Sequence, residues 1–190
     1  GSWTVSIGIE DCRNLITIRS AQTLGVKKIL DISTKLSIYD DIPELLSVSL
    51  GSAETSLLNL TTAYSSFVNG GKKVSPNLIS RIQDRRGKTI FKLSDKKCMG
   101  CDKFSNNSEK LPMIQYQNER VYSKETAYQM ISILEGAVKR GTAKKLRDLK
   151  VPIAGKTGTT NNNYDAWFIG FTSDLVIGVY IGFDSPKTLG

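Results

Sequence analysis

A lysine, two threonine hydroxyls and a glycine fall together at Lys156-Thr157-Gly158-Thr159, at the end of a β-rich run and just before the polar Thr160-Asn161-Asn162-Asn163. A strand containing glycine has an approachable backbone, on which an extended peptide can pair by β-addition. The lysine and hydroxyls can then meet a carboxylate on that peptide through charge-assisted hydrogen bonds. Taken alone, the tetrapeptide is better described as a surface strand leaving its sheet, because short motifs match by accident. The chain contains no histidine. That absence removes every Ser-His-Asp and Cys-His mechanism and leaves lysine as the base for a hydroxyl nucleophile. Cys98-Met99-Gly100-Cys101 is a closely spaced pair. A zinc knuckle needs two further ligands, and with only Cys12 remaining no metal site is expected; nothing in the sequence calls for a cofactor.

These residues must be held by ordinary globular structure. A chain of 190 residues, 39% hydrophobic and 23% charged, has the balance of one domain with its own core. No apolar run approaches the roughly 18 residues of a membrane-spanning helix, and no charged start leads into a signal-peptide core. Gly1-Ser2 reads as a cloning remnant and the chain as a fragment, with any anchor or export signal outside it. The 26 Lys and Arg exceed 18 Asp and Glu, giving +8. They are scattered in small groups such as Lys72-Lys73, Arg85-Arg86 and Lys144-Lys145, with no interleaved aromatics to stack bases, so no nucleic-acid partner is expected.

Helices are predicted over the first half. Leu15, Ile18, Ala21 and Leu24 recur at helical spacing before Gly25, a second helix covers Val26 to Leu36, and Tyr39 to Pro43 is a turn. Thr55 or Ser56 caps a helix whose stripe is Leu57, Leu60, Thr61, Tyr64, Phe67 and Val68, stopped by Gly70-Gly71. Leu78 to Leu93 alternates around Arg85-Arg86-Gly87-Lys88, a hairpin with an exposed tip and glycine at positive φ. The polar, Asn-rich stretch from Lys92 to Glu119 is expected to be a mobile loop. Ser123 caps a helix running through Arg140, with Glu125 near its positive end and Gly141 beyond its last turn. Val151 to Thr157, Ala166 to Thr172 and Leu175 to Phe183 are strands, the last two joined at Ser173-Asp174. Helices first and a meander of strands last make an α+β domain.

Several blocks occur in a fixed order: Gly51-Ser52-Ala53-Glu54, Asn59-Leu60-Thr61-Thr62-Ala63-Tyr64, Phe67-Val68-Asn69-Gly70-Gly71, Ala154 to Thr160, and Asp165-Ala166-Trp167-Phe168-Ile169-Gly170-Phe171. Together they resemble the transpeptidase domain of class A penicillin-binding proteins, the bifunctional peptidoglycan synthases, from about Ile9 to Asp184. The resemblance implies the fold shared with serine β-lactamases, helices packed on an antiparallel sheet, here incomplete at its N-terminal side. Residues 1–190 would be a partial transpeptidase domain, with the hairpin and loop inserted at about 76–120.

Members of that family use Ser-x-x-Lys, Ser-x-Asn and Lys-Thr-Gly around one cleft. Here Cys12-Arg13-Asn14 stands in the place of Ser-x-Asn, so a thiol replaces a hydroxyl, and Asn14 is kept. The only Ser-x-x-Lys match, Ser94 to Lys97, falls in the polar loop, where a lysine in solvent stays protonated and no base is expected. By resemblance, Cys12, Asn14 and Lys156 belong to the catalytic network. Thr157, Gly158 and Thr159 bind substrate, Thr159 also supplying one oxyanion N–H. The whole protein would then be a serine-type D-Ala-D-Ala transpeptidase that cross-links stem peptides, is acylated by β-lactams and works beside other wall-synthesis proteins on the periplasmic face of the inner membrane, reaching the membrane only through an anchor outside this chain. The fragment, without the nucleophile, is expected to be inactive. In such a compartment Cys98 and Cys101 would pair as a small disulfide, free thiols being the alternative. Missing segments leave apolar surface uncovered, so a segment-swapped oligomer or a partly disordered lobe is expected. Two other readings remain: a non-catalytic scaffold of the same fold, suggested by Cys12, and a serine β-lactamase or sensor.

Overall fold

In the computed structural model five helices precede and flank a terminal three-stranded sheet, and residues 4–93, 96–99, 113–116 and 118–189 are described. The chain forms two units, residues 1–74 with 120–190 and residues 75–119. The first begins with α1 (Val5–Glu10), α2 (Asn14–Leu24) and α3 (Val26–Lys35). Gly25, between α2 and α3, has φ 87°, which a glycine adopts without strain. A 3-10 turn at Leu46–Leu50 leads to α4 (Leu57–Val68), where the Ser56 hydroxyl accepts from Asn59 N–H at 3.0 Å. In α5 (Lys124–Lys139) Ser123 caps Thr126 N–H at 3.1 Å. Each such cap satisfies an otherwise orphaned donor and is worth about 1 kcal/mol. Glu125, in the first turn of α5, has its carboxyl held below the usual range, first by its own backbone N–H and then by the Ser123 hydroxyl.

The second unit holds a hairpin of β1 (Arg81–Gln83) and β2 (Thr89–Lys92). Its turn is built by Asp84, whose carboxylate accepts from Arg86 N–H at 2.8 Å and Lys88 N–H at 2.9 Å, with Gly87 at φ 78°. Part of the stretch read above as loop is paired strand: β3 (Lys96–Met99) runs antiparallel to β4 (Met113–Tyr116), Lys96 opposite Tyr116. Backbone pairing needs no apolar face, so composition did not signal it. Ser94 and the proposed Cys98–Cys101 bridge lie outside the described residues, as do residues 100–112.

The main sheet has the order β5-β6-β7, with β5 (Ala154–Thr159), β6 (Asp165–Phe171) and β7 (Val176–Gly182) all antiparallel. β5 begins three residues later than the periodicity suggests. Lys150 takes a left-handed φ of 55° and Pro152 has no N–H to give a ladder. It also runs two residues further, to Thr159, because the reversal is made by Thr160, whose hydroxyl accepts from Asp165 N–H at 3.0 Å. The core lies between α4, α5 and the sheet, where Leu134, Ala154 and Phe171 are buried under Tyr64, Phe67, Val68, Ile131 and Val176. Phe67 meets Tyr64 edge-on at 5.5 Å and Phe171 at 6.3 Å between ring centres.

Candidate active site

Cys12 is placed by the way α1 ends. Arg13 N–H donates to Gly8 carbonyl at 2.8 Å and Cys12 N–H to Ile9 carbonyl at 3.3 Å, the paired bonds of a Schellman motif. The residue between helix cap and exit must then be left-handed, and Cys12 has φ 58°. Glycine is the usual occupant; a cysteine there stores about 1–2 kcal/mol of backbone strain. Asn14 follows at once as the first residue of α2 and is exposed.

Lys156 comes to this turn from β5. Its ammonium donates to Cys12 Sγ at 2.8 Å and to the Thr157 carbonyl at 2.8 Å, across 144 residues of sequence in the first case. Thr157 Oγ1 lies 2.7 Å from Thr142 Oγ1, in the turn after α5. Thr142 N–H in turn donates to the Glu10 carbonyl at 3.3 Å. The end of α1, the exit of α5 and the Lys-Thr-Gly strand therefore meet in one cluster. β5 is an edge of its sheet: β6 occupies one side, and among the described residues nothing pairs with the other. A ladder of free backbone groups beside an ammonium and two hydroxyls suits an extended peptide ending in a carboxylate. Gly158 and Thr159 continue β5 opposite Trp167 and Ala166. Trp167 packs against Tyr180 at 4.7 Å between ring centres with the planes tilted by 59°, a sheet-packing contact.

Behind the cluster, Tyr64 of α4 has its phenol pushed up to about 12, first by burial and then by negative charge on Cys12. Thr142, Glu10 and Arg140 were not singled out from the sequence for the site. Glu10 is 3% exposed, and Arg140 grips its carboxylate through Nε at 2.7 Å and a terminal nitrogen at 2.6 Å. A partnership spanning 130 residues leaves no local pattern to find.

The penicillin-binding protein transpeptidase domain matches residues 19–189 of this chain. The chain belongs to that family. It is 42% identical to penicillin-binding protein 1A of Rickettsia bellii over its whole length and 24% of that protein, and 34% identical to penicillin-binding protein 1A of Pseudomonas aeruginosa over 94% of the chain and 25% of that protein. It thus spans about a quarter of the length of these curated relatives. The crystal structure of penicillin-binding protein 1A from Haemophilus influenzae superposes with a TM-score of 0.82 at 31% identity, covering 97% of this chain and 31% of that one. The structure of PonA1 from Mycobacterium tuberculosis, at 19% identity and TM-score 0.74 over 98% of this chain and half of that one, shares the fold. The transpeptidase family match begins at residue 19, after Cys12 and Asn14.

Proposed function

We propose that this chain is the substrate-strand part of a peptidoglycan transpeptidase that takes D-Ala-D-Ala stem peptides and is acylated by β-lactams. The observation that carries the reading is the 2.8 Å contact of Lys156 with Cys12, which joins the Lys-Thr-Gly strand to the Cys-x-Asn turn. In this reading the nucleophile is a serine of a Ser-x-x-Lys helix contributed by sequence outside these 190 residues. Its oxygen attacks the penultimate D-Ala carbonyl, the peptide C–N bond breaks, and terminal D-Ala leaves as an amine carrying the proton. An amine of a second strand then attacks the ester, the C–O bond breaks, and the serine regains its hydrogen.

The residues of this chain bind, orient and move protons in that sequence. Lys156 gives positive charge to the substrate carboxylate. Thr157 and Thr159 donate their hydroxyls; Thr142 can donate to Thr157 Oγ1 and leave the Thr157 proton for the substrate, since a hydroxyl carries one donor and two acceptor sites. Thr159 N–H is one oxyanion donor, and removing such a donor costs a factor of about 100–1000 in rate. Cys12 Sγ passes the leaving-group proton along the Lys156 contact, and Asn14 holds the substrate amide. Among the described residues no helix is long and apolar enough to cross a membrane; the work is assigned to the periplasmic face of the inner membrane through an anchor elsewhere in the whole protein. Cys12 in the serine position favours one competing reading, a non-catalytic scaffold.

Labelling with a fluorescent penicillin, read on a denaturing gel, tests both. The whole protein should label and Lys156→Ala should label at least about 100-fold more slowly, whereas the 190-residue chain alone should not label. A whole protein that stays unlabelled overturns the transpeptidase reading in favour of the scaffold, and labelling of the isolated chain overturns the placement of the nucleophile.

A further inference from the structure

Glu10 ends α1, two residues before Cys12, and its carboxylate is almost wholly buried with the bidentate Arg140 fork as its partner. The Arg140 side chain is itself 65% exposed. Burying a carboxylate against one partner gains little stability over an apolar residue, so orientation is what such a pair best supplies. The surroundings are shaped to receive it. A Cβ on Gly136 would fall on the Glu10 carboxylate, and one on Gly141 would fall on the Glu10 carbonyl. Neither glycine has a positive φ, so what they provide is space and not backbone freedom. The Glu10 carbonyl also takes Thr142 N–H, and Thr142 bonds Thr157 on the strand. Two parallel hydrogen bonds fix both the position and the rotation of the α1 end against α5, and the Schellman turn then delivers Cys12 to Lys156.

We propose that Glu10, through Arg140, is a positioning residue that holds the Cys12 turn on Lys156 of the substrate strand. Its catalytic consequence rests on the transpeptidase reading; its geometric consequence does not. The test uses the whole protein with Glu10→Gln and Arg140→Lys, the latter keeping charge but losing the fork. Leu134→Ala, a truncation in the core formed with Ala154 and Phe171, serves as the control for destabilisation. Three quantities are measured: the melting temperature, the second-order rate of penicillin acylation, and the iodoacetamide alkylation rate of Cys12 well below the melt, resolved by peptide so that Cys98 and Cys101 do not contribute.

Loss of the fork frees the α1 end and takes Cys12 Sγ away from the Lys156 ammonium that now contacts it at 2.8 Å. Cys12 alkylation is therefore expected to change about threefold or more in both variants, and acylation to fall about 10- to 100-fold. Leu134→Ala should lower the melt and leave both rates near wild type. If Cys12 alkylates at the wild-type rate in both variants, or its rate changes equally in Leu134→Ala, the proposal is overturned. Should Glu10→Gln fail to fold, Arg140→Lys decides by the same criterion. A wild-type protein that resists penicillin sinks the transpeptidase reading alone, since alkylation still reports whether Glu10 positions Cys12.

Discussion

Cys12 occupies a backbone position that glycine fills without steric cost, and its side chain is exposed. Relief of a left-handed φ is worth about 1–2 kcal/mol, while an exposed hydrogen bond contributes about 1 kcal/mol or less. Cys12→Gly is therefore expected to leave the melting temperature unchanged or raise it, although the Lys156 contact is lost; a drop of several degrees would mean that the contact outweighs the strain. Tyr64 gives a second prediction, in pH. Its phenol titrates at about 12 when folded against 10.0 for the unperturbed group. The folded state thus keeps its proton over a window in which the unfolded state loses it, and stability present below pH 10 is lost as pH rises towards 12, by an amount on the order of 2 kcal/mol. Tyr122, raised by burial and partly offset by its Ser66 hydrogen bond, adds in the same direction, so the informative quantity is a difference. Urea melts from pH 9 to 11.5 should show a shallower decline for Tyr64→Phe than for wild type, and equal slopes would sink the assignment. Cys12→Ser should lower the Tyr64 titration seen by tyrosinate absorbance, leaving the larger part due to burial.

At the scale of elements, the close approach of α4 to β7 depends on Gly178, where a Cβ would run into Thr61 Oγ1 and lie 3.0 Å from Leu57 Cδ1. Gly178→Ala is expected to cost about 1–3 kcal/mol by overpacking. Adding Thr61→Ala should restore part of it, because the threonine oxygen is the nearest obstacle; a purely additive double mutant would place the strain elsewhere. The helices that were legible in sequence are those whose ends carry standard signals: Ser56 and Ser123 as caps, Gly25 and Gly70 as stops. α4 closes through the same Schellman bonds as α1, with Gly71 N–H on Ser66 carbonyl and Gly70 at φ 61°, but α1 puts Cys12 and α3 puts Ser37 at that left-handed position. With six residues and no glycine stop, α1 offered too little periodicity to read. The 3-10 turns at Leu46–Leu50 and Lys144–Leu149 escaped because such short runs show no readable period, even though Gly51 ends the first of them. Lys156, Thr157 and Gly158 were visible as a cluster of chemistry on one strand. The Glu10–Arg140 pair and Thr142 were not, because only tertiary packing brings them there.

At the scale of the molecule, residues 75–119 leave and rejoin the first unit at nearly one point. Lys72 pairs with Arg120 as an antiparallel bridge, and Val121 N–H donates to Gly71 carbonyl at 2.8 Å. Arg120 also donates to the Gly70 carbonyl at 2.5 Å, and all five of these residues belong to the first unit. Partners across such a bridge lie close enough for a hairpin loop of about 2–5 residues. The core residues Leu134, Ala154 and Phe171 and the contacts of Lys156, Thr142 and Glu10 all lie outside residues 75–119. Replacing 75–119 with a short Gly-Ser turn should therefore leave a folded first unit, its loop-closure cost lowered by the shorter connection. Helical circular dichroism per helical residue and the melting temperature should stay near those of the parent, and Cys12 should alkylate at the parental rate. Loss of the cooperative melt would show that the first unit does not stand on its own core.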